Sequence, residues 1–165
     1  RAAGQLLDHA MITFRADNLD RQDIDLVVLA NDLVMRLMPI AEMRDVELKL
    51  DASSSVPVTG DMILLQNAIR NLVDNALKYA PRESVVRIVV AAAPKPLISI
   101  IDEGEGFPIE EINGLADRFA RGSNSRAIIG SGLGLTIARE VAEAHGGSLS
   151  LSNDSQGGAC ATFSF

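Results

Sequence analysis

Two strand-like runs, Val85 to Ala93 and Leu97 to Ile101, are separated only by Pro94-Lys95-Pro96. A gap this short closes as an antiparallel hairpin and leaves no room for the crossover a parallel pair needs. The C-terminal end repeats the theme, since Ser148–Ser152 and Ala159–Phe165 read as a second hairpin. Between the two hairpins, Gly132 to Ala144 has helical periodicity and stops at His145-Gly146-Gly147. Upstream, Val46-Glu47-Leu48-Lys49-Leu50 alternates as a half-buried strand does. Helical runs are expected over about Ala2–Asn18 and Leu26–Met43, the latter kinked at Pro39. A further helix is capped by Asp61 and closed by Pro81. The polar run Arg15–Asp25 reads as a linker, and Asp51–Thr59 as a loop. A long Gly-, Arg- and Ser-rich loop runs from about Gly104 to Ser131, with a helical turn near Ile109–Asn113. Helices followed by a mostly antiparallel sheet with one more helix inserted predict an α+β fold, a two-layer α/β sandwich.

Composition narrows the function classes. The 165 residues suffice for one full core plus a short appendage, and 47% apolar content excludes a disordered chain. No apolar run approaches the ~20 residues of a membrane span, and no signal peptide is visible. Because Arg1 is not an initiator methionine, the sequence is expected to be part of a longer protein with any membrane or sensory part upstream. A net charge of −7 disfavours a nucleic-acid binder. Positive charge is nevertheless concentrated at Arg118, Arg121 and Arg126. One cysteine, Cys160 in the last strand, and two histidines argue against disulfides and against a zinc site.

Three constellations bear on chemistry. In Asn71-Leu72-Val73-Asp74-Asn75-Ala76-Leu77-Lys78-Tyr79, Asn71, Asn75 and Lys78 share one helical face. Leu65, Ile69, Leu72, Ala76 and Ala80 form the apolar side. Carboxamide oxygens suit Mg²⁺ shared with phosphates, and a lysine adds a point charge for them. The same pattern also describes an ordinary amphipathic surface helix. Asp102-Glu103-Gly104-Glu105-Gly106-Phe107 ends a strand. Its aspartate can accept a hydrogen bond from an amino group such as that of adenine, or it can simply belong to a turn. Gly130-Ser131-Gly132-Leu133-Gly134-Leu135 opens a helix, where free backbone N–H groups and the positive dipole end attract anions.

In this order and spacing the chain resembles the catalytic and ATP-binding domain of bacterial two-component sensor histidine kinases, within the Bergerat-fold (GHKL) ATPases. Asn71–Tyr79 is similar to the N box, Asp102–Gly106 to the first glycine box, Phe119 to the F box and Gly130–Leu135 to the second glycine box. The resemblance implies a mixed, mostly antiparallel sheet with about three helices on one face. It implies Mg²⁺ coordination by Asn75, support of the metal–phosphate shell by Asn71, and phosphate contact by Lys78. Tyr79 and Phe119 would line the nucleotide pocket, and Asp102 would read the adenine amino group above Gly104 and Gly106. Gly130, Gly132, Leu133 and Gly134 would cradle phosphate, with Arg121 reaching the γ-phosphate from a lid over Ala120–Ser131.

The resemblance also divides the chain, with residues 1–22 as the end of a dimerisation hairpin helix plus linker and 23–165 as the catalytic domain. Related ATPases place a glutamate where Asn71 stands, and asparagine cannot serve as a general base near neutral pH. Transfer of the γ-phosphate of Mg·ATP to a histidine is therefore expected. An ATP-hydrolysing enzyme and a non-catalytic nucleotide-binding regulatory module are the alternatives. His9 is not expected to be the acceptor, because Ala10, Met11 and Ile12 follow it where that motif has an acidic residue. Expected partners are the protein's own phosphoacceptor domain and a response regulator, with a possible homodimer through Leu7, Met11 and Phe14. The expected setting is the cytoplasmic side of an inner-membrane sensor.

Overall fold

The computed structural model describes residues 18–108, 112 and 133–165. The expected first helix, and most of the loop from Gly104 to Ser131, lie outside the described residues. A five-stranded sheet has the order β2(Val46–Ala52), β4(Ser84–Ala91), β5(Leu97–Ile101), β7(Ala159–Ser164), β6(Ser148–Asn153). β2 and β4 are parallel, and every other neighbouring pair is antiparallel. The helices are α1(Leu26–Met43), α2(Met62–Tyr79) and α3(Leu133–Ala144). This is the expected sandwich, with α1 against β2 and β4, α2 against β4 and β5, and α3 against α2, β6 and β7.

Strand alternation explains the layering. Val86, Ile88 and Val90 of β4, Ile98 and Ile100 of β5, and Ala161 and Phe163 of β7 are all buried. Their registers, Ile88 opposite Ile100 and Ile98 opposite Phe163, bring them onto one face beneath the helices. Ser99 and Thr162 face each other on the opposite side, hydroxyl to hydroxyl at 2.8 Å. α2 buries Leu64, Leu65, Ala68, Ile69, Leu72, Val73, Ala76 and Leu77. Each fully buried leucine or isoleucine contributes about 1.5–3 kcal/mol relative to exposure, so packing holds this helix more than propensity does.

Two local readings are corrected. The expected linker and loop contain strands β1(Arg21–Asp25) and β3(Pro57–Asp61), which pair antiparallel as a separate two-stranded sheet. Asp25 makes that possible. Its Oδ1 accepts from the N–H groups of Val27 (2.9 Å) and Val56 (3.0 Å), while Ser55 Oγ donates to Oδ2 at 2.9 Å. One carboxylate thus caps α1 and holds the segment leading into β3. The Val56 and Val27 bonds, in that order, lower the Asp25 pKa below its usual value. Pro39, secondly, does not interrupt α1, which runs unbroken to Met43. Proline removes the bond to the carbonyl of Met35, and both residues face solvent, where water can serve that carbonyl.

Candidate nucleotide-binding site

The site is built on α2. Asp61, fully buried, caps it by accepting from the Leu64 N–H at 3.2 Å, and its other oxygen accepts from the Asp20 N–H at 3.0 Å. The Asp61 N–H in turn donates to His145 Nε2 at 3.0 Å, while His145 Nδ1 bonds the Val141 carbonyl at 2.7 Å. That pairing requires the neutral Nδ1–H tautomer. His145 therefore closes α3, as expected, and also ties it to the start of α2. Gly60 leaves room for the ring, because a Cβ there would lie 2.9 Å from it.

At the other end of α2, Asn75, Leu72 and Ala76 form one wall of a pocket, and Asp102 and Ile100 form another. Phe107, Ala159 and Ala161 complete the lining. Asp102 is 2% exposed, and its Oδ1 accepts from the N–H groups of Gly104 (2.8 Å) and Ala159 (3.2 Å). The glycine loop docks closely on α2: a Cβ on Gly104 would stand 2.6 Å from the Tyr79 carbonyl oxygen. Gly106 has φ +83°, a conformation glycine tolerates and other residues resist.

The remaining expected residues divide by position. Asn71, Lys78 and Tyr79 lie along α2 but outside the lining of this pocket. Asn71 Nδ2 donates to the Asn67 carbonyl at 2.8 Å, so the group it offers to a ligand is its carbonyl oxygen. Lys78 Nζ is 3.7 Å from Asp74 Oδ2, so a phosphate would compete with that carboxylate. Leu133 and Gly134 are the first two residues of α3, and Leu135 packs on the cluster of Phe107 and Ala159. Phe119, Arg121, Gly130 and Gly132 lie outside the described residues.

The carboxamide oxygens on α2 fit a hard cation. Among the described residues no cluster of three or more His, Cys, Asp or Glu could hold a metal alone. A cation here would thus take further oxygens from its ligand, as Mg²⁺ on a nucleotide does. Sequence reasoning missed Phe107 and Ala159 as lining residues. The signal available was only an apolar residue after Gly-Glu-Gly and an alternating strand, and neither points to a ligand before the sheet is assembled.

Residues 60–165 match the family described as Histidine kinase-, DNA gyrase B-, and HSP90-like ATPase. The chain belongs to this family. Within it, the similarity runs to sensor kinases. The chain is 38% identical over 130 residues to the sensor-like histidine kinase SenX3 of Mycobacterium tuberculosis, covering 77% of this chain and 32% of SenX3. It is 33% identical over 161 residues to the sensor protein QseC of Escherichia coli, covering 94% of this chain and 35% of QseC. It thus spans about a third of the length of these relatives. The cytoplasmic segment of histidine kinase QseC superposes with a TM-score of 0.75 at 26% identity, covering 99% of this chain and 93% of that one. The mycobacterial sensor histidine kinase MprB gives 0.73 at 26% identity, over 86% and 94% of the two chains. The chain is an ATP-binding catalytic domain of the histidine kinase type. No helix among its described residues is long and apolar enough to cross a membrane.

Proposed function

We propose that this domain binds Mg·ATP between α2 and the glycine loop and transfers the γ-phosphate to a histidine on a dimerisation domain of the same protein, as the first step of a phosphorelay to a response regulator. The observation that carries the reading is that Asn75 and Asp102, from two different elements, line one small pocket of about 10 Å³ whose other lining residues are apolar, and which must widen to seat a base. Asp102 accepts from the adenine amino group, and Leu72, Ile100 and Phe107 exclude water around the ring. The oxygen of Asn75 would hold the metal ion that accompanies the phosphates, with Asn71 supporting it. Lys78, and Arg121 from the lid, meet the phosphate charge, and the backbone N–H groups of Gly130, Gly132, Leu133 and Gly134 cradle it, with Tyr79 and Phe119 beside the nucleotide. Bound Mg²⁺ supplies neutralisation of the triphosphate charge.

Asn71 determines the outcome of the transfer. With no carboxylate there to take a proton from water, the γ-phosphoryl waits for a nucleophile that needs no such base. A neutral imidazole nitrogen qualifies: the P–N bond forms as the bond to the β-phosphate oxygen breaks, and ADP leaves. The segment before β1 serves as the end of the dimerisation hairpin helix and the linker, so that the catalytic domain begins at Arg21 and not at the expected residue 23, on the cytoplasmic side of the membrane that carries the sensor.

Labelled ATP should leave no acid-labile, base-stable phosphate on the 165-residue chain alone. It should yield phosphohistidine once a dimerisation domain is added. Steady release of inorganic phosphate by the chain alone, at a rate indifferent to the acceptor, would show a hydrolase instead. Asn75→Ala should weaken binding of a non-hydrolysable ATP analogue only when Mg²⁺ is present.

A further inference from the structure

The turn between β6 and β7 lies far from the nucleotide motifs in sequence, yet it holds the glycine loop by a specific device. Asn153, the last residue of β6, accepts the Phe107 N–H through Oδ1 at 2.7 Å and donates through Nδ2 to the Phe107 carbonyl at 2.8 Å. One carboxamide thus pairs with both backbone groups of a single residue, as an opposing strand would. Both bonds fit only one orientation of the amide. The contact is close on all sides. A Cβ on Gly106 would lie 2.7 Å from Asn153 Oδ1 and 2.4 Å from the Gly157 carbonyl oxygen.

Phe107, held in this way, is 4% exposed and shares the pocket lining with Asp102 and Asn75. We propose that Asn153 is a positioning residue for base recognition: by clamping Phe107 it sets the height of the pocket floor relative to Asp102, and so the register in which an adenine ring meets that carboxylate. This rests on the nucleotide reading above and adds to it the part that recognises the base. Neither Asn71 nor Lys78 is touched by the clamp, so it acts on the nucleoside end of the ligand and not on the phosphates.

The test is calorimetric titration of the 165-residue chain and its Asn153→Ala and Asn153→Asp variants with adenosine, Mg·ADP and Mg·GDP. Asn153→Ala removes both bonds, and Asn153→Asp sets a carboxylate oxygen against the Phe107 carbonyl. Each should weaken adenosine and Mg·ADP by the same factor, about tenfold, the size expected from one or two hydrogen bonds. The preference for Mg·ADP over Mg·GDP should shrink in step. A loss of thermal stability alone would not move that preference. Folded variants that bind adenosine as the unaltered chain does would overturn the proposal, as would a loss seen with Mg·ADP but not with adenosine. If neither variant folds, the unaltered chain decides: saturation with adenosine must shift the NMR signals of the Phe107 amide and the Asn153 side-chain amide, and unmoved signals refute the clamp's role. An unaltered chain that binds none of the three ligands refutes the nucleotide reading itself, a result distinct from binding that ignores Asn153.

Discussion

Asp102 offers the sharpest separation of structure from recognition, because its carboxylate is hydrogen-bonded within the fold and is also the group proposed to read the base. Oδ1 accepts two backbone N–H groups, from Gly104 and Ala159, in a position almost closed to water. Asp102→Ala strands both donors. At about 1–3 kcal/mol for each buried donor left without a partner, the loss is about 2–6 kcal/mol. With a urea m-value of about 2 kcal/mol per molar, that lowers the unfolding midpoint by about 1–3 M. Asp102→Asn keeps an oxygen for the two N–H groups and should cost less than about 1 kcal/mol in the same assay. It also replaces one acceptor by an amide donor. Facing the adenine amino group, donor meets donor, and affinity for adenine nucleotides should fall by about 3 kcal/mol, roughly 100-fold. Urea titration and calorimetry on the two variants check both halves. An Asp102→Ala chain as stable as the parent would refute the structural half. An Asp102→Asn chain that keeps its affinity for adenine nucleotides would refute the assignment of base recognition to this carboxylate.

Other substitutions probe the supports of the site. Gly158→Ala would place a Cβ 1.8 Å from the Asp102 carbonyl oxygen; a loss of about 3 kcal/mol or more, or failure to fold, is expected by thermal denaturation. His145→Ala removes the bond to Val141 and leaves the Asp61 N–H without its acceptor. The cost should be about 2–4 kcal/mol, a fall in Tm of roughly 5–10 °C for a domain of this size. Asp25→Asn tests the lowered carboxylate. A depressed folded-state pKa gives stability that is fully present above the ordinary aspartate range, near pH 4, and lost as pH falls below it. The parent's advantage over Asp25→Asn in urea unfolding should accordingly be constant at neutral pH and vanish in acid. Asp74→Asn releases Lys78 from its ion pair; nucleotide affinity should rise modestly at low salt and little at high salt, with stability changed by less than about 1 kcal/mol.

The elements that were legible in the sequence are those whose pattern is set by the core. α2 shows a stripe from Leu65 to Ala76, β4 and β7 alternate because one face of each is more deeply buried, and β5 is a short apolar run buried at its centre on both faces. β1 and β3 were not legible. Arg-Gln-Asp-Ile-Asp and Pro-Val-Thr-Gly-Asp bury only Ile24, Gly60 and Asp61 among them, and their pairing is arranged by the Asp25 side chain. The parallel pairing of β2 with β4 could not be read either, since β3 and α2 intervene and alternation carries no direction. In the candidate site, Asn71 and Asn75 stood out by type and spacing on one helix face, and Asn75 does line the pocket. Asn153 did not, because its role is to imitate a piece of backbone, and any turn-flanking asparagine looks the same until its partner is known.

The β6–β7 turn has a consequence for anyone who wishes to alter this domain. Ser155 and Gln156 are exposed, small or polar, and sit at a hairpin tip, the sort of position where tags, labels and inserted domains are usually accepted. Here Gly157 and Gly158 beyond the tip press on Gly106 and Asp102. A graft at that tip would pull on the Asp102–Phe107 loop through two residues of chain, so under the proposed function a label meant to be silent would report on nucleotide binding. The connection Ala92–Lys95, also exposed and at the far end of β5 from Asp102, is the quieter place to build.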